Sequence, residues 1–86
     1  MSNSTFNGWS NRQTWNVALW IGNDEGLYRT ALDWVEDRRD SGYDSVSYDV
    51  FCHTLTELFG ESTPDGVAWN DTKLDTDELD EMLAEL

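Results

Sequence analysis

The sequence has few of the residues that cross-link, ligate or break a fold. It contains one cysteine, one histidine and one proline, and its longest apolar run, Val17 to Ile21, has five residues. One cysteine excludes an internal disulfide, and a single His–Cys pair is too small a ligand set for zinc. A membrane-spanning helix needs roughly 20 apolar residues. The opening MSNSTFNGW lacks the basic and apolar regions of a signal peptide, so the sequence predicts a soluble, cytoplasmic protein.

Positive charge is also scarce. Five Lys and Arg oppose 18 Asp and Glu, which gives a formal net charge of −13. Such a surface repels nucleic acid and anionic membranes, and it attracts basic patches on other proteins. We therefore expect neither direct nucleic-acid binding nor membrane binding, and we expect a host protein with a basic surface as the partner. Composition leaves open whether the acidic residues bind that partner or only keep a small monomer or homo-oligomer soluble.

The residues that usually carry chemistry do not form a recognisable set. Cys52 and His53 are neighbours on a predicted helix, where adjacent side chains diverge by about 100°, so they do not form a nucleophilic dyad. The stretch DTDELD differs from a calcium loop because Asp80 stands where the turn glycine belongs. No glycine-rich phosphate loop occurs. We expect a non-enzymatic protein with no cofactor and no metal.

Hydrophobic periodicity and turn residues predict an all-α fold. Ser10 and Gln13 fit a capping box, and Gly22 is a good residue to end the first helix. The predicted N-caps are Ser10, Asn23, Ser47 and either Asp75 or Thr76. We predict a flexible segment over 1–9 and a single domain over 10–86, with about four helices around a Trp-rich core: 11–21, 24–40, 48–59 and 76–86, with an irregular segment over 60–75.

The helical faces predict which side chains form the core. The first helix is apolar over about 200°, twice what a surface helix needs, so we predict that it is central, with Trp15 in the core. Trp20 shares an arc with polar residues, so either the loop around Trp69 covers it or it is a partly exposed anchor. The third helix has a core-facing arc of about 100°. That arc holds Tyr48, Phe51, Cys52, Leu55, Leu58 and Phe59.

Two stretches, NRQTWNVALWIGNDEGLY and TPDGVAWNDTKLDTDELDEMLAEL, resemble a family of small acidic proteins of unknown function from phages, plasmids and prophage-rich bacteria. Together they cover about half the chain, and the specific part is the Thr-Trp-Asn-Val-Ala-Leu-Trp core. The resemblance implies an origin in a mobile element. Because that family has no assigned chemistry, the resemblance implies no catalytic or binding residue.

Charge and tryptophans suggest two main functions. The first is an inhibitor or decoy of anti-restriction or anti-CRISPR type, a nucleic-acid mimic that occupies a basic host protein. Carboxylates three or four residues apart recur about every 5–6 Å along a helix, a coarse match to the phosphates of a DNA strand. The second is an adaptor that docks through Trp20, with Trp9 and Trp69 as further candidates, and a small phage structural component is a third possibility. The first function would use Glu36, Asp37, Asp40, Asp77, Asp80, Glu81 and Glu85.

Overall fold

A computed structural model describes residues 8–42 and 46–86. Four α-helices form within these two stretches, which contain no strand: α1 (Arg12–Asn23), α2 (Glu25–Asp40), α3 (Tyr48–Phe59) and α4 (Thr76–Ala84). The predicted all-α fold is therefore confirmed. None of these helices is long and apolar enough to cross a membrane. Most of the predicted flexible segment lies outside the described residues, which begin at Gly8.

The start of α1 is bonded to the start of α4, and this moves the cap of α1 by one residue. Asn11, not Ser10, caps α1 by accepting a hydrogen bond from the Thr14 amide (2.8 Å). The Ser10 hydroxyl instead donates to Asp75 (2.7 Å), and the Asp75 amide donates to the Thr14 hydroxyl (2.8 Å). Asp75 also caps α4 by accepting from the Glu78 amide, as predicted. The prediction of Ser10 as cap was wrong because its hydroxyl has a tertiary partner.

The junction of α1 and α2 is a single residue, Asp24. Its amide donates to the Trp20 carbonyl at the end of α1, and its carboxylate accepts from the Leu27 amide at the start of α2. Asp24 is thus both the C-cap residue of α1 and the N-cap residue of α2, and α1 continues through Gly22 and ends at Asn23. Gly22 as the stop and Asn23 as the cap of α2 were therefore wrong predictions.

The core of the domain is formed by one stripe of each helix and by the segment after α3. On α1 the stripe follows the spacing i, i+3, i+4, i+7 of a helix with one buried face. Trp69, in the segment before α4, is the fully buried tryptophan, and its carbonyl accepts from the buried Tyr48 hydroxyl (2.6 Å). Trp15 lies beside the α1 stripe and is only half-buried, so its placement in the core was wrong. The α1 stripe consists of Thr14, Val17, Ala18 and Ile21.

The apolar arc of α3 extends beyond the part of the helix that is packed. Leu55 is fully buried, whereas Leu58 is 63% exposed and Phe59 is 40% exposed. The prediction that these last two residues belong to the core was wrong. Periodicity identifies the apolar face of a helix, but it does not show where along the helix the core ends. Here the core ends one turn before Gly60, at which the chain turns with a φ of 92°.

Hydrogen bonds of two buried residues, Asn16 and Thr63, connect the irregular segment before α4 to the side of α1 away from its buried stripe. The Asn16 side chain donates to the Asp65 carboxylate (2.8 Å) and accepts from the Thr63 hydroxyl (2.7 Å), which in turn accepts from the Val67 amide (3.1 Å). The Trp20 indole N–H donates to the same Asp65 oxygen (2.9 Å). These bonds from Asn16 and then Trp20 lower the pKa of the Asp65 carboxyl. Helix α1 is thus held on two sides, by its buried stripe and by these hydrogen bonds to the irregular segment.

Candidate partner-binding surface

The acidic residues at the end of α2 lie where this helix meets α4. Glu36, Asp37 and Asp40 are all exposed. Between them, the Arg39 guanidinium donates to the carbonyl oxygens of Ala84 (2.6 Å) and Leu86 (3.1 Å). Lysine and arginine are favourable partners for the unpaired carbonyls of a helix end. Arg39 therefore holds the C-terminal turns of α2 and α4 together.

Arg39 also shows which acidic residues of α2 lie on the side of α4. At about 100° per residue, Glu36 and Asp40 lie about 60° and 100° from Arg39 around the helix axis. Asp37 lies about 160° away, on the opposite side of α2. Glu36 and Asp40 thus lie closer than Asp37 to the side of α2 from which Arg39 reaches the end of α4.

Three of the four predicted acidic residues on α4 form one exposed stripe. Asp77, Glu81 and Glu85 are exposed and follow the spacing i, i+4, i+8, which spans about 12 Å along the axis. Asp80 differs, because it is half-buried and accepts a hydrogen bond from the Tyr48 amide. Asp80 therefore satisfies an amide at the start of α3, where Ser47 makes no side-chain cap bond. We call Glu36, Asp40, Asp77, Glu81 and Glu85 the acidic band.

The cations of the described residues leave the acidic band uncompensated. One ion pair forms between described residues, Arg29 with Glu25 at 3.9 Å. The Arg38 guanidinium lies over the Trp34 ring, 4.9 Å from its centroid, and Arg39 is bonded to helix carbonyls. No carboxylate of the band has a Lys or Arg nitrogen within 4 Å in the part of the chain that is described. The band is thus a surface of net negative charge.

A shallow groove of about 300 Å³ borders the acidic band along α4. Trp9 and Met82 are half-buried and pack against the core, so they form its apolar floor. Glu78 is half-buried and accepts from the Ser10 amide (2.8 Å). The groove was not predicted from the sequence, although Trp9, in the polar stretch before α1, was a signal for it. The groove is lined by Gly8, Trp9, Glu78, Glu81, Met82 and Glu85.

The tryptophans proposed as docking anchors are half-buried or fully buried in the fold. Trp20 is half-buried and its indole N–H is bonded to Asp65. Trp69 is 1% exposed, so its candidacy as an anchor is wrong. Among the described residues, the large apolar side chains that are exposed are others, and two of them end α3. They are Tyr28, Val50, Leu58 and Phe59.

The groups with potential chemistry are dispersed. The Cys52 thiol is buried, and its burial, with the nearby Asp49 charge, raises its pKa. A raised pKa keeps the sulfur in its less nucleophilic, protonated form. Within residues 8–42 and 46–86, no three His, Cys, Asp or Glu side chains are grouped to hold a metal ion.

One comparison with known proteins identifies a family for this chain, and two find no match. Searches of curated proteins and of solved structures find no match to the chain. The family match instead covers almost the whole sequence, including the acidic band and both walls of the groove. Residues 2–86 match the family described as "Family of unknown function (DUF7249)", and the chain belongs to that family.

Proposed function

We propose that this protein is a non-enzymatic inhibitor that binds a basic nucleic-acid-binding host protein and occupies its nucleic-acid site. The observation that carries the proposal is the acidic band, whose exposed carboxylates have no cationic partner among the described residues. The proposed role, of anti-restriction or anti-CRISPR type, and the proposed origin in a phage or other mobile element rest on the resemblance of its two motifs to proteins of such elements.

The positions of Glu81 and Glu85 support partner binding over solubility alone. Both lie at the C-terminal end of α4, whose last turn contains no basic residue. This end of a helix carries partial negative charge, which an acidic residue makes worse by about 0.3–1 kcal/mol, although the Arg39 guanidinium on the Ala84 carbonyl offsets part of this cost. Acidic residues that only kept the protein soluble would be equally effective elsewhere on its surface. Local rules of this kind are commonly broken at functional sites.

The spacing of the stripe on α4 fits a protein surface that binds phosphates. Asp77, Glu81 and Glu85 recur about every 6 Å along the helix, which corresponds to roughly two nucleotides at about 3.4 Å per nucleotide of a DNA strand. Attraction between these exposed carboxylates and a basic surface is screened by salt. Binding should therefore weaken steeply as salt rises.

The test is a pull-down from host lysate with the full chain, at low salt and at about 0.5 M salt, where surface charges are strongly screened. Retained proteins are identified by mass spectrometry, and duplex DNA is then added as competitor. We expect a basic nucleic-acid-binding protein that is retained at low salt, released at high salt and displaced by DNA. A partner that resists both salt and DNA would contradict the proposal.

A matched pair of variants separates the band from net charge. Glu81→Gln with Glu85→Gln removes two charges from the band, whereas Glu57→Gln with Glu61→Gln removes two exposed charges at the end of α3. We expect only the first variant to lose the partner. Equal losses in both would mean that overall charge, and not the band, governs binding.

The exposed end of α3 favours a second candidate function, an adaptor that docks through apolar side chains. Leu58 is the most exposed large apolar side chain among the described residues. In that case retention would survive high salt and disappear with Leu58→Ser. Trp20→Ala is a weaker test than the sequence suggested, because it also breaks the indole bond to Asp65.

A further inference from the structure

We infer that the groove floored by Trp9 and Met82 is a docking site for one arginine side chain of a protein partner. This inference rests on the proposed function, because it names the chemical group that a basic partner presents here. The groove lies between α4 and the residues before α1, directly beside the acidic band. We call it the Trp9–Met82 groove.

The floor of the groove suits the apolar part of an arginine. Trp9 and Met82 are both half-buried and pack against the core, so the floor is fixed in place by the fold. The arginine stem of methylene groups can lie along the Met82 thioether, as long basic side chains commonly do on apolar surface. The guanidinium can then stack on the Trp9 indole, whose face attracts cations.

The rim of the groove supplies the charge that this guanidinium needs. Glu81 and Glu85 are exposed, one helical turn apart, and no hydrogen bond between described residues uses their carboxylates. The third glutamate, Glu78, already accepts from the Ser10 amide and holds that wall in position. A carboxylate and a guanidinium form two parallel hydrogen bonds, the strongest common pairing of side chains.

Size and chemistry together favour arginine over other occupants. A volume of about 300 Å³ lies at the lower limit of ligand pockets, so the groove suits one side chain better than a cofactor. An apolar side chain would desolvate the glutamates without pairing them. Lysine has no planar group that could both stack on the indole and form two parallel hydrogen bonds to a carboxylate. The same fold already contains such a contact, the Arg38 guanidinium 4.9 Å above the Trp34 ring.

The experiment uses methyl NMR of the full chain, which has only two methionines, Met1 and Met82. The protein is labelled at the methionine methyl carbons, and Met82→Leu assigns the reporter signal. The probe is arginine capped as N-acetyl and N-methylamide, and the matched control is the same molecule made with citrulline, which has nearly the same shape without the charge. We expect the Met82 methyl to shift and saturate with capped arginine, with a Kd on the order of 1 mM, and to stay unchanged with citrulline.

Variants with equal charge change locate the binding. Glu81→Gln with Glu85→Gln should weaken capped arginine by about tenfold, because a charge-assisted pair is lost. Glu57→Gln with Glu61→Gln removes the same number of charges near the end of α3, outside the acidic band, and should leave the affinity within about twofold. An equal effect of both variants, equal binding of citrulline or capped lysine, or no Met82 shift would each overturn the inference.

The two proposals fail in different ways. If capped arginine binds as expected but the lysate gives no basic partner, the groove is an arginine site and the proposed function is wrong. If a basic partner is retained and displaced by DNA while Met82 does not respond to capped arginine, the proposed function stands and the groove inference is wrong.

Discussion

Replacing Asn16 with alanine should remove two hydrogen bonds between α1 and the irregular segment and destabilise the whole domain. This side chain is 1% exposed, and it joins the Thr63 hydroxyl (2.7 Å) to the Asp65 carboxylate (2.8 Å). In the variant, the Thr63 hydroxyl keeps its bond from the Val67 amide (3.1 Å) but has no acceptor for its own proton. Thr63 is itself 2% exposed, so water is a poor substitute.

The expected loss of stability follows from the buried Thr63 hydroxyl, which has no acceptor in the variant. An unsatisfied buried donor costs about 1–3 kcal/mol, and the truncated side chain adds up to about 1 kcal/mol of lost packing. We expect the free energy of unfolding to fall by about 2–3 kcal/mol, a large share of the total for a small domain. Since 1 kcal/mol shifts the midpoint of such a domain by about 4–8 °C, Tm should fall by roughly 8–24 °C.

Thermal and urea unfolding, followed by tryptophan fluorescence and circular dichroism, measure this loss. The control is Asn23→Ala, the same substitution at an exposed site of the same helix, where the side chain donates to the Leu19 carbonyl (3.0 Å). We expect it to cost less than about 0.5 kcal/mol. An Asn16→Ala variant as stable as this control would refute a stabilising role for these hydrogen bonds. Combined with Thr63→Val, the losses should be less than additive, because the two residues share one bond.

Two further predictions concern pH and the α3 core. Because folding lowers the pKa of the Asp65 carboxyl, its charge stabilises the fold above the unfolded value of about 3.9, and this contribution is lost as pH falls through the lower folded value. Asp65→Asn should therefore destabilise the fold clearly at pH 7 and much less at pH 2.5 in denaturant titrations, and an equal loss at both pH values would contradict the role of the Asp65 charge. In the same assay, Leu55→Ala should cost about 2–5 kcal/mol, because the side chain is fully buried. Leu58→Ala should cost less than about 1 kcal/mol, and similar losses for the two leucines would contradict the exposed end of α3.

The helices could be predicted from the sequence because their signals are local. Gly60 ends α3 and Asp75 caps α4, each within a few residues of the helix it bounds. The prediction of Ser10 as the cap of α1 failed because the Ser10 side chain bonds to a distant residue. Ser10 bonds to Asp75, 65 residues away, and no pattern within a short window contains that information. The exposed end of α3 escaped prediction for a similar reason, since the extent of the core depends on the neighbouring elements.

The acidic surface could be predicted in outline but not in arrangement. A charge of −13 on a small chain requires most carboxylates to be exposed, and those of Asp77, Glu81 and Glu85 are. That Asp80 turns to the start of α3 depends on how two helices pack. The groove depends on Trp9 folding back beside α4, which is also a tertiary contact.

The bonds between the start of α1 and the cap of α4 determine when, during synthesis, the fold can be completed. Ser10 and Thr14 bond to Asp75, which is made 65 and 61 residues later. The first helix is therefore translated long before the residue that anchors its start, so we expect the N-terminal helices to remain incompletely folded until α4 is made. A ribosome-bound chain stalled before Asp75 should remain sensitive to protease, whereas one that exposes all of α4 should become resistant. Protection of the shorter chain would show that the N-terminal helices fold without this anchor.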